Sequence, residues 1–359
     1  MECSLSKNSN FIFCGGGSGG HVLPALTLFH YLKKECPDAR FISIGSKSGI
    51  EKEIFTKNSL DYYSISTGKL RRYFSWQNFV DILRIIKGTI QSFFLLLKWK
   101  RAHSVVIATG GFVTVPVVFA AWLQRKKIIV HEQTTRVGLA NKICSYFADM
   151  VLVTFEDSLK YFPQNKVKHL GYPLREEIFT PIVEETKIKD ITLKDIERPI
   201  LFLTGGGNGS KLLNDILDQI RPQIENEFFI VHQCGKAYES EYQSRETPFY
   251  KVYGFIGKEM IDLMKTAEVI ISRSGAGTVV ELMSLGKASI FIPLKIAQKN
   301  EQYHNAISAH QLLGSKVIEE DELSAESLLE AIEEVRKIGK KSGVKNNPTH
   351  VIGNLIKDF

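Results

Sequence analysis

Short runs of β-branched and aromatic residues alternate with longer stretches of helical spacing along most of the chain. This rhythm predicts α/β units built on parallel sheets. Strands are predicted at Phe11–Cys14, Phe41–Ile44, Val105–Thr109, Ile128–His131 and Met150–Val153, then at Ile200–Thr204, Phe228–His232, Tyr250–Tyr253, Val269–Ser272 and Ser289–Ile292. Most are continuous in apolar residues rather than alternating, as strands covered by helices on both faces must be. The pattern also restarts. A strand running into a glycine cluster and then a helix opens each half, at 11–21 and at 200–211. Between them lie turn chemistry at Gly171–Arg175 and a charged stretch, Pro181 to Pro199, with no clear element. The expected organisation is a doubly wound domain over 1–173, a second over 174–342, and a terminal segment 343–359 in which Val351–Phe359 forms a short amphipathic helix.

One segment stands apart. Trp76–Arg101 places Trp76, Phe79, Val80, Leu83, Ile86 and Ile90 roughly on one helical face, and Phe93–Leu97 is continuously apolar. A membrane span needs about 20 apolar residues, and Arg84, Lys87 and Lys98 interrupt this one, so it is not expected to cross a bilayer. The pattern fits either a core helix packed on a sheet or a helix lying at an interface.

Charge bears on that choice. Lys69, Arg71, Arg72, Arg84, Lys87, Lys98, Lys100 and Arg101 face a single acid, Asp81, so this segment carries the chain's whole net charge of +7. Trp122, with Arg125, Lys126 and Lys127, follows closely. Bulky aliphatics interleaved with such charge suit an anionic membrane surface better than nucleic acid. The expected patch is Lys69, Arg71, Arg72, Trp76, Phe79 and Trp122. The remaining composition is ordinary: 359 residues, 44% apolar and 24% charged, suit two globular domains. Five cysteines, Cys3, Cys14, Cys36, Cys144 and Cys234, never form CxxC, which fits reduced thiols and argues against a disulfide framework or zinc site. Met1 to Asn10 is polar, so no signal peptide is expected.

Four glycine-rich loops follow predicted strands: Gly15–Gly20, Gly110–Gly111, Gly205–Gly209 and Gly275–Gly277. Turns of this kind at strand carboxyl ends turn bare N–H groups and helix N-termini towards anions, although any single one also serves as an ordinary tight turn. Gly15, Gly17 and Gly20 spell GxGxxG, but the second strand, FISIG, ends without the acid a dinucleotide site uses for its ribose. In the fourth loop, amides from Gly275 to Thr278 would face a diphosphate, and Glu281 would accept both ribose hydroxyls or act as a plain first-turn acid. His21, at the mouth of the first loop and at a helix N-terminus, suits a proton acceptor. His131-Glu132-Gln133 ends a strand where sites of this fold gather residues, or simply caps it. No DxD, HExxH, paired CxxC, GxxxxGK[ST] or GxSxG pattern occurs, so neither a metal nor a cofactor is implied.

Taken together, GGGSGGHVLPALTL (15–28), GGFVTVPVVFAAW (110–122), HEQTTRVGLANK (131–142), GYPLR (171–175), GGGNGS (205–210), YGFI (253–256), RSGAGTVVELMSLGKASIFIPL (273–294) and NEQYHNA (300–306) resemble the MurG family of bacterial UDP-N-acetylglucosamine–lipid I N-acetylglucosaminyltransferases. The resemblance implies a GT-B fold, two Rossmann-like domains across a cleft with the C-terminal helix crossing back to the first. It implies a UDP-GlcNAc donor held by Ser18, Gly19, Gly20, Thr134, Arg175, Gly207, Ile256, Ala276, Gly277, Thr278, Val279, Val280, Glu281 and Gln302. Ile256 would meet the uracil through its backbone and Gln302 the sugar. Gly16, Gly17, Gly110 and Gly111 would face the diphosphate of a lipid-linked acceptor, with His21 as general base and Glu132 beside it in the catalytic set. The implied setting is peripheral, on the cytoplasmic face of the cell inner membrane, with cell-wall and division proteins as candidate partners. Three positions depart from the family: Thr134 replaces an asparagine, Gly207 a serine and Val115 a glycine, which bears on donor affinity and acceptor fit. A hexosyltransferase acting on diacylglycerol, or a membrane-bound scaffold of weak activity, are the alternatives.

Overall fold

The computed structural model describes residues 9–68, 76–183, 185–189, 191–296 and 300–359. It divides into two units, Met1–Arg175 with Asn347–Phe359, and Glu176–Asn346. The first unit runs β1 (Asn10–Gly15), α1 (Gly19–Glu35), β2 (Arg40–Gly45), α2 (Ile50–Lys57), β3 (Asp61–Ser64), α3 (Trp76–Leu96), β4 (Ser104–Gly110), α4 (Thr114–Leu123), β5 (Lys127–Glu132), α5 (Leu139–Phe147), β6 (Met150–Val153) and β7 (Val167–His169). Its seven strands are all parallel, in the order β3-β2-β1-β4-β5-β6-β7. The order reverses between β1 and β4, so successive connections cover opposite faces and a crevice opens at the carboxyl ends of those two strands.

Side-chain alternation along β1 fills both layers. Phe11 and Phe13 join Val22, Leu28, Phe29 and Leu32 of α1, while Ile12 and Cys14 join Val117 and Val118 of α4.

The second unit opens with a two-stranded antiparallel ribbon, β8 (Lys187–Ile188) and β9 (Ile191–Thr192), inside the stretch predicted to lack an element. It continues with β10 (Ile200–Thr204), α6 (Lys211–Ile224), β11 (Phe229–Gln233), α7 (Glu239–Gln243), β12 (Tyr250–Tyr253), α8 (Met260–Thr266), β13 (Val269–Ser272), α9 (Ala276–Leu285), β14 (Ile290–Phe291), α10 (Glu301–Leu313), β15 (Lys316–Val317) and α11 (Ala325–Lys337). The sheet order β12-β11-β10-β13-β14-β15 repeats the reversal, here between β10 and β13.

The last helix, α12 (Pro348–Asp358), belongs to the first unit. Asn347 caps it by accepting from the Thr349 amide at 3.0 Å, and Pro348 occupies the first turn, where its missing N–H costs nothing. Ile352 and Ile356 are fully buried beside α1, each contributing up to about 1.5–3 kcal/mol. Gly353 is required there, because a β-carbon would lie 2.2 Å from the Tyr31 ring. Tyr31 Oη donates to Asn354 Oδ1 (3.0 Å), and Lys357 pairs with Glu35 (2.8 Å) at the rim.

Candidate active site

In the first unit the loops after β1 and β4 press together at the reversal point. Gly16 N–H donates to the Gly110 carbonyl (3.1 Å), and a β-carbon on Gly111 would sit 2.1 Å from the Gly16 carbonyl oxygen. Glu51, from the first turn of α2, reaches under the loop. Its carboxylate accepts from Gly17 N–H at 3.1 Å and from the Ser46 amide at 3.0 Å. The amides of Gly16 and Gly17, predicted to meet the acceptor diphosphate, are therefore engaged inside the unit. Open amides lie further along. Gly19 and Gly20, in the first turn of α1, have no acceptor among the described residues, and the Ser18 side chain makes no capping bond. The N-terminus of a 17-residue helix is thus left bare, with its partial positive charge facing out.

Beside it stands His21, half-buried. Gly110, at φ +106°, lies beside its ring, so close that a β-carbon would be 2.7 Å from Nδ1. Gly110→Ala is expected to cost about 1–3 kcal/mol of stability through backbone strain and to push the imidazole aside. A fall in melting temperature together with a fall in turnover checks this.

His21 Nδ1 is 3.2 Å from Gln133 Oε1. Gln133 Nε2 in turn lies 3.1 Å from His131 Nδ1 and 2.8 Å from the His131 carbonyl, and His131 Nε2 lies 3.0 Å from the Gly171 carbonyl. His131 and Gln133 are each only 1% exposed, and burial pushes the His131 imidazole down to about 4, so it stays neutral at physiological pH.

Glu132, expected in the catalytic set, is held by donors of the first unit. One carboxylate oxygen accepts from the Thr134 amide (3.0 Å) and hydroxyl (2.8 Å), the other from Gly138 N–H (3.2 Å) and Asn141 Nδ2 (3.1 Å). A buried carboxylate with four donors braces the loop that carries Gln133. Thr134, expected on the donor, is buried, and its hydroxyl also lies 2.9 Å from the Arg136 carbonyl.

The second unit repeats the bare helix end. The turn after β13 is held from behind. Arg273 donates to the Ile292 carbonyl (3.0 Å) and Ser210 Oγ (2.9 Å) and pairs with Glu320 (2.7 Å), while Asn305 Nδ2 donates to the Ser274 carbonyl (3.2 Å). Helix α9 then starts without a side-chain cap. Val279 N–H bonds to the Gly275 carbonyl at 3.0 Å, and the amides of Ala276, Gly277 and Thr278 have no acceptor among the described residues.

Glu281 is half-buried in the second turn, and α9 has no acid in its first, so Glu281 is not an ordinary first-turn complement to the dipole. Val279 is fully buried, whereas Val280 is half-buried. Gly207 lies open in the loop after β10. Gln133 has a counterpart here that the sequence did not reveal. Gln233 Oε1 accepts the Ile256 amide at 2.8 Å while its Nε2 donates to Thr204 Oγ1 at 2.9 Å. Gln302 Oε1 accepts from Leu294 N–H (3.0 Å), which leaves its amide nitrogen as a donor.

The predicted donor residues are thus divided: Ser18, Gly19, Gly20, Thr134 and Arg175 lie in the first unit, the others in the second. Among the described residues no three His, Cys, Asp or Glu side chains gather as a metal cage.

Helix α3 is built inside out. Asp81, Gly88, Ser92 and Leu96 form its buried side, with Gly88 so near the chain that a β-carbon would meet the Ser66 carbonyl at 2.0 Å. Phe79 (62% exposed), Ile82, Leu83, Ile86, Ile90, Phe94 (66%) and Leu97 face outwards, and Trp122 (45%) and Leu123 of α4 are also exposed. The core-helix alternative fails on that orientation. Lys126, counted above with the surface cations, is instead buried. Its ammonium donates to the Trp99 carbonyl, and burial pushes it down to about 8. Lys69, Arg71, Arg72 and the side chain of Trp76 lie outside the described residues. Among the described residues no helix is long and apolar enough to cross a membrane.

The crystal structure of Acinetobacter baumannii MurG superposes on the chain with a TM-score of 0.69 at 23% identity, covering 98% of this chain and all of the other. Two parallel Rossmann-like sheets of one strand order, each with a bare helix end at its reversal point, give the chain a GT-B fold. The N-terminal domain of glycosyltransferase family 28 matches residues 11–153 and the C-terminal domain of that family residues 200–352. A relative from Clostridium perfringens (strain SM101 / Type A), named UDP-N-acetylglucosamine–N-acetylmuramyl-(pentapeptide) pyrophosphoryl-undecaprenol N-acetylglucosamine transferase, is 42% identical over 98% of this chain and 97% of its own. A Bacillus cereus (strain ATCC 14579) transferase of the same name, numbered 2, is 35% identical over 97% and 98%. The chain belongs to glycosyltransferase family 28, in the branch of these N-acetylglucosamine transferases.

Proposed function

We propose that this chain transfers N-acetylglucosamine from UDP-N-acetylglucosamine to the 4-hydroxyl of the muramyl sugar in undecaprenyl-diphospho-MurNAc-pentapeptide, with inversion at the anomeric carbon. The observation that carries this is the 42% identity, along nearly the whole chain, to a transferase whose name specifies both substrates. His21 takes the proton of the attacking hydroxyl as the bond from the sugar to UDP breaks. The bare amides of Ala276, Gly277 and Thr278 meet the UDP diphosphate, where fixed dipoles at a helix N-terminus stabilise the charge that develops on the leaving group. Glu281 accepts the ribose hydroxyls, the Ile256 carbonyl accepts from the uracil, and the Gln302 amide donates to the sugar. In the first unit, Gly19 and Gly20 supply the anion-binding amides, because those of Gly16 and Gly17 are occupied.

The exposed face of α3 favours peripheral attachment to the membrane that carries the acceptor, on its cytoplasmic side. Incubation with radiolabelled UDP-N-acetylglucosamine and a short-chain lipid I analogue, beside a hydrolysis control, tests the reaction. A β(1→4) disaccharide product is expected. Transfer to diacylglycerol in its place, or no transfer at all, overturns the assignment.

The nucleotide clamp has its own test. Glu281→Ala is expected to weaken UDP binding by roughly 1.5–3 kcal/mol for each charged hydrogen bond lost. It should also abolish the preference for UDP over its 2′-deoxy and 3′-deoxy analogues. Calorimetry showing the same loss for all three nucleotides would return Glu281 to a structural role.

A further inference from the structure

The contacts behind His21 define which of its nitrogens is the base. The Gly171 carbonyl accepts only, so the His131 nitrogen 3.0 Å away, Nε2, carries the proton. In a neutral ring Nδ1 then holds a lone pair. Gln133 meets that lone pair and the His131 carbonyl, both acceptors, so its amide nitrogen must lie at that end. Its oxygen is thereby turned to His21 Nδ1, 3.2 Å away, and an amide oxygen again accepts only. His21 must carry its proton on Nδ1, which leaves the lone pair on Nε2, the nitrogen turned away from the network.

We propose that Gln133, with its amide orientation fixed by His131 and Gly171, is a positioning residue that holds His21 in the Nδ1–H tautomer and so makes Nε2 the proton acceptor. Burial supports this assignment. His131 stays neutral and keeps its lone pair, and no water is needed to complete the chain of donors. Glu132 fixes the loop from the other side through Thr134, Gly138 and Asn141, so Gln133 has one rigid place to stand. Gly110 leaves no room for the His21 ring to shift towards it, since even a β-carbon there would be 2.7 Å from Nδ1. The sequence placed His131, Glu132 and Gln133 together, but the direction of the amide comes only from the acceptors around it.

The inference rests on His21 as the general base, and the test separates the two. Histidine-selective ¹⁵N labelling with long-range proton–nitrogen correlation reports which ring nitrogen is protonated, and His21→Ala identifies the His21 signals by their loss. At a pH where the ring is neutral, the wild type is expected to show the Nδ1–H form. Gln133→Met keeps the length of the side chain and removes both polar atoms. It is expected to move His21 towards the Nε2–H form and to lower kcat by about tenfold or more, within the range of general-base catalysis, with KM for UDP-N-acetylglucosamine little changed.

Wild-type His21 in the Nε2–H form overturns the proposal, whether or not the variant folds. So does a fall in kcat without a change of tautomer, or a change of tautomer without a fall in kcat. If His21→Ala keeps near-normal turnover while the wild type still shows the Nδ1–H form, the base assignment has failed and the hydrogen-bond relay has not.

Discussion

His21→Ala is expected to lower kcat by roughly 10²–10⁴-fold, the usual worth of a general base, while the Kd for UDP-N-acetylglucosamine changes little. The ring belongs to the first unit, whereas the amides proposed to hold the diphosphate belong to the second. Its contacts are Gln133 on Nδ1 and Gly110 beside it. Removing it therefore takes away an interaction made in the transition state and leaves the ground-state clamp intact. The fold should survive, because the backbone at His21 is held independently: its carbonyl accepts from the Thr109 hydroxyl at 2.6 Å and its N–H bonds to the Ser18 carbonyl. Single-turnover kinetics with a lipid I analogue, beside calorimetric titration of UDP-N-acetylglucosamine, measures both quantities. Turnover within about threefold of wild type would sink the assignment.

The distribution of what the sequence revealed follows from physics. Central strands such as Phe11–Cys14 and Ile200–Thr204 were legible because burial on both faces demands unbroken apolar runs. The edge strands β3, β7 and β15 were not, since DYYS, VKH and KV are short, partly exposed and polar. The β8–β9 ribbon was missed for the same reason, being two residues per strand.

The glycine loops could be read, since backbone that must come within contact distance leaves no alternative residue at Gly111 or Gly110. What those loops do with their amides could not. Glu51 lies 34 residues from Gly17, and nothing local announces that its carboxylate fills the first loop. The only signal was an acid in the first turn of the helix after FISIG. The same limit applies to Glu132, whose four donors come from the loop that follows it and from Asn141 of α5.

Periodicity in α3 showed which residues share a face but carried no sign. The direction was decided by Gly88 and Ser92, small enough to seat the helix closely on its polar side.

That direction has a measurable consequence: Leu83→Gln, Ile86→Gln and Ile90→Gln together are expected to lower affinity for anionic vesicles by about 100-fold or more. Each aliphatic side chain is worth about 1.5–3 kcal/mol when fully withdrawn from water, and even partial insertion of three amounts to roughly 3 kcal/mol. All three are about half exposed in the free protein, so the substitutions remove little packing, and the melting temperature should change little. A core helix would show the opposite, a large loss of stability. Charge supplies the other part. Arg84 and Lys87 are exposed on the same helix, and Lys69, Arg71 and Arg72 precede it in sequence; cations near an anionic surface contribute roughly 1 kcal/mol each, screened by salt. The wild type should therefore cosediment with anionic vesicles in a salt-sensitive way and bind neutral ones more weakly. Changing Lys69, Arg71 and Arg72 to Glu should remove mainly the salt-sensitive part, and the glutamine variant mainly the salt-resistant part. Vesicle binding unchanged in the folded glutamine variant would show that this apolar face meets something other than lipid.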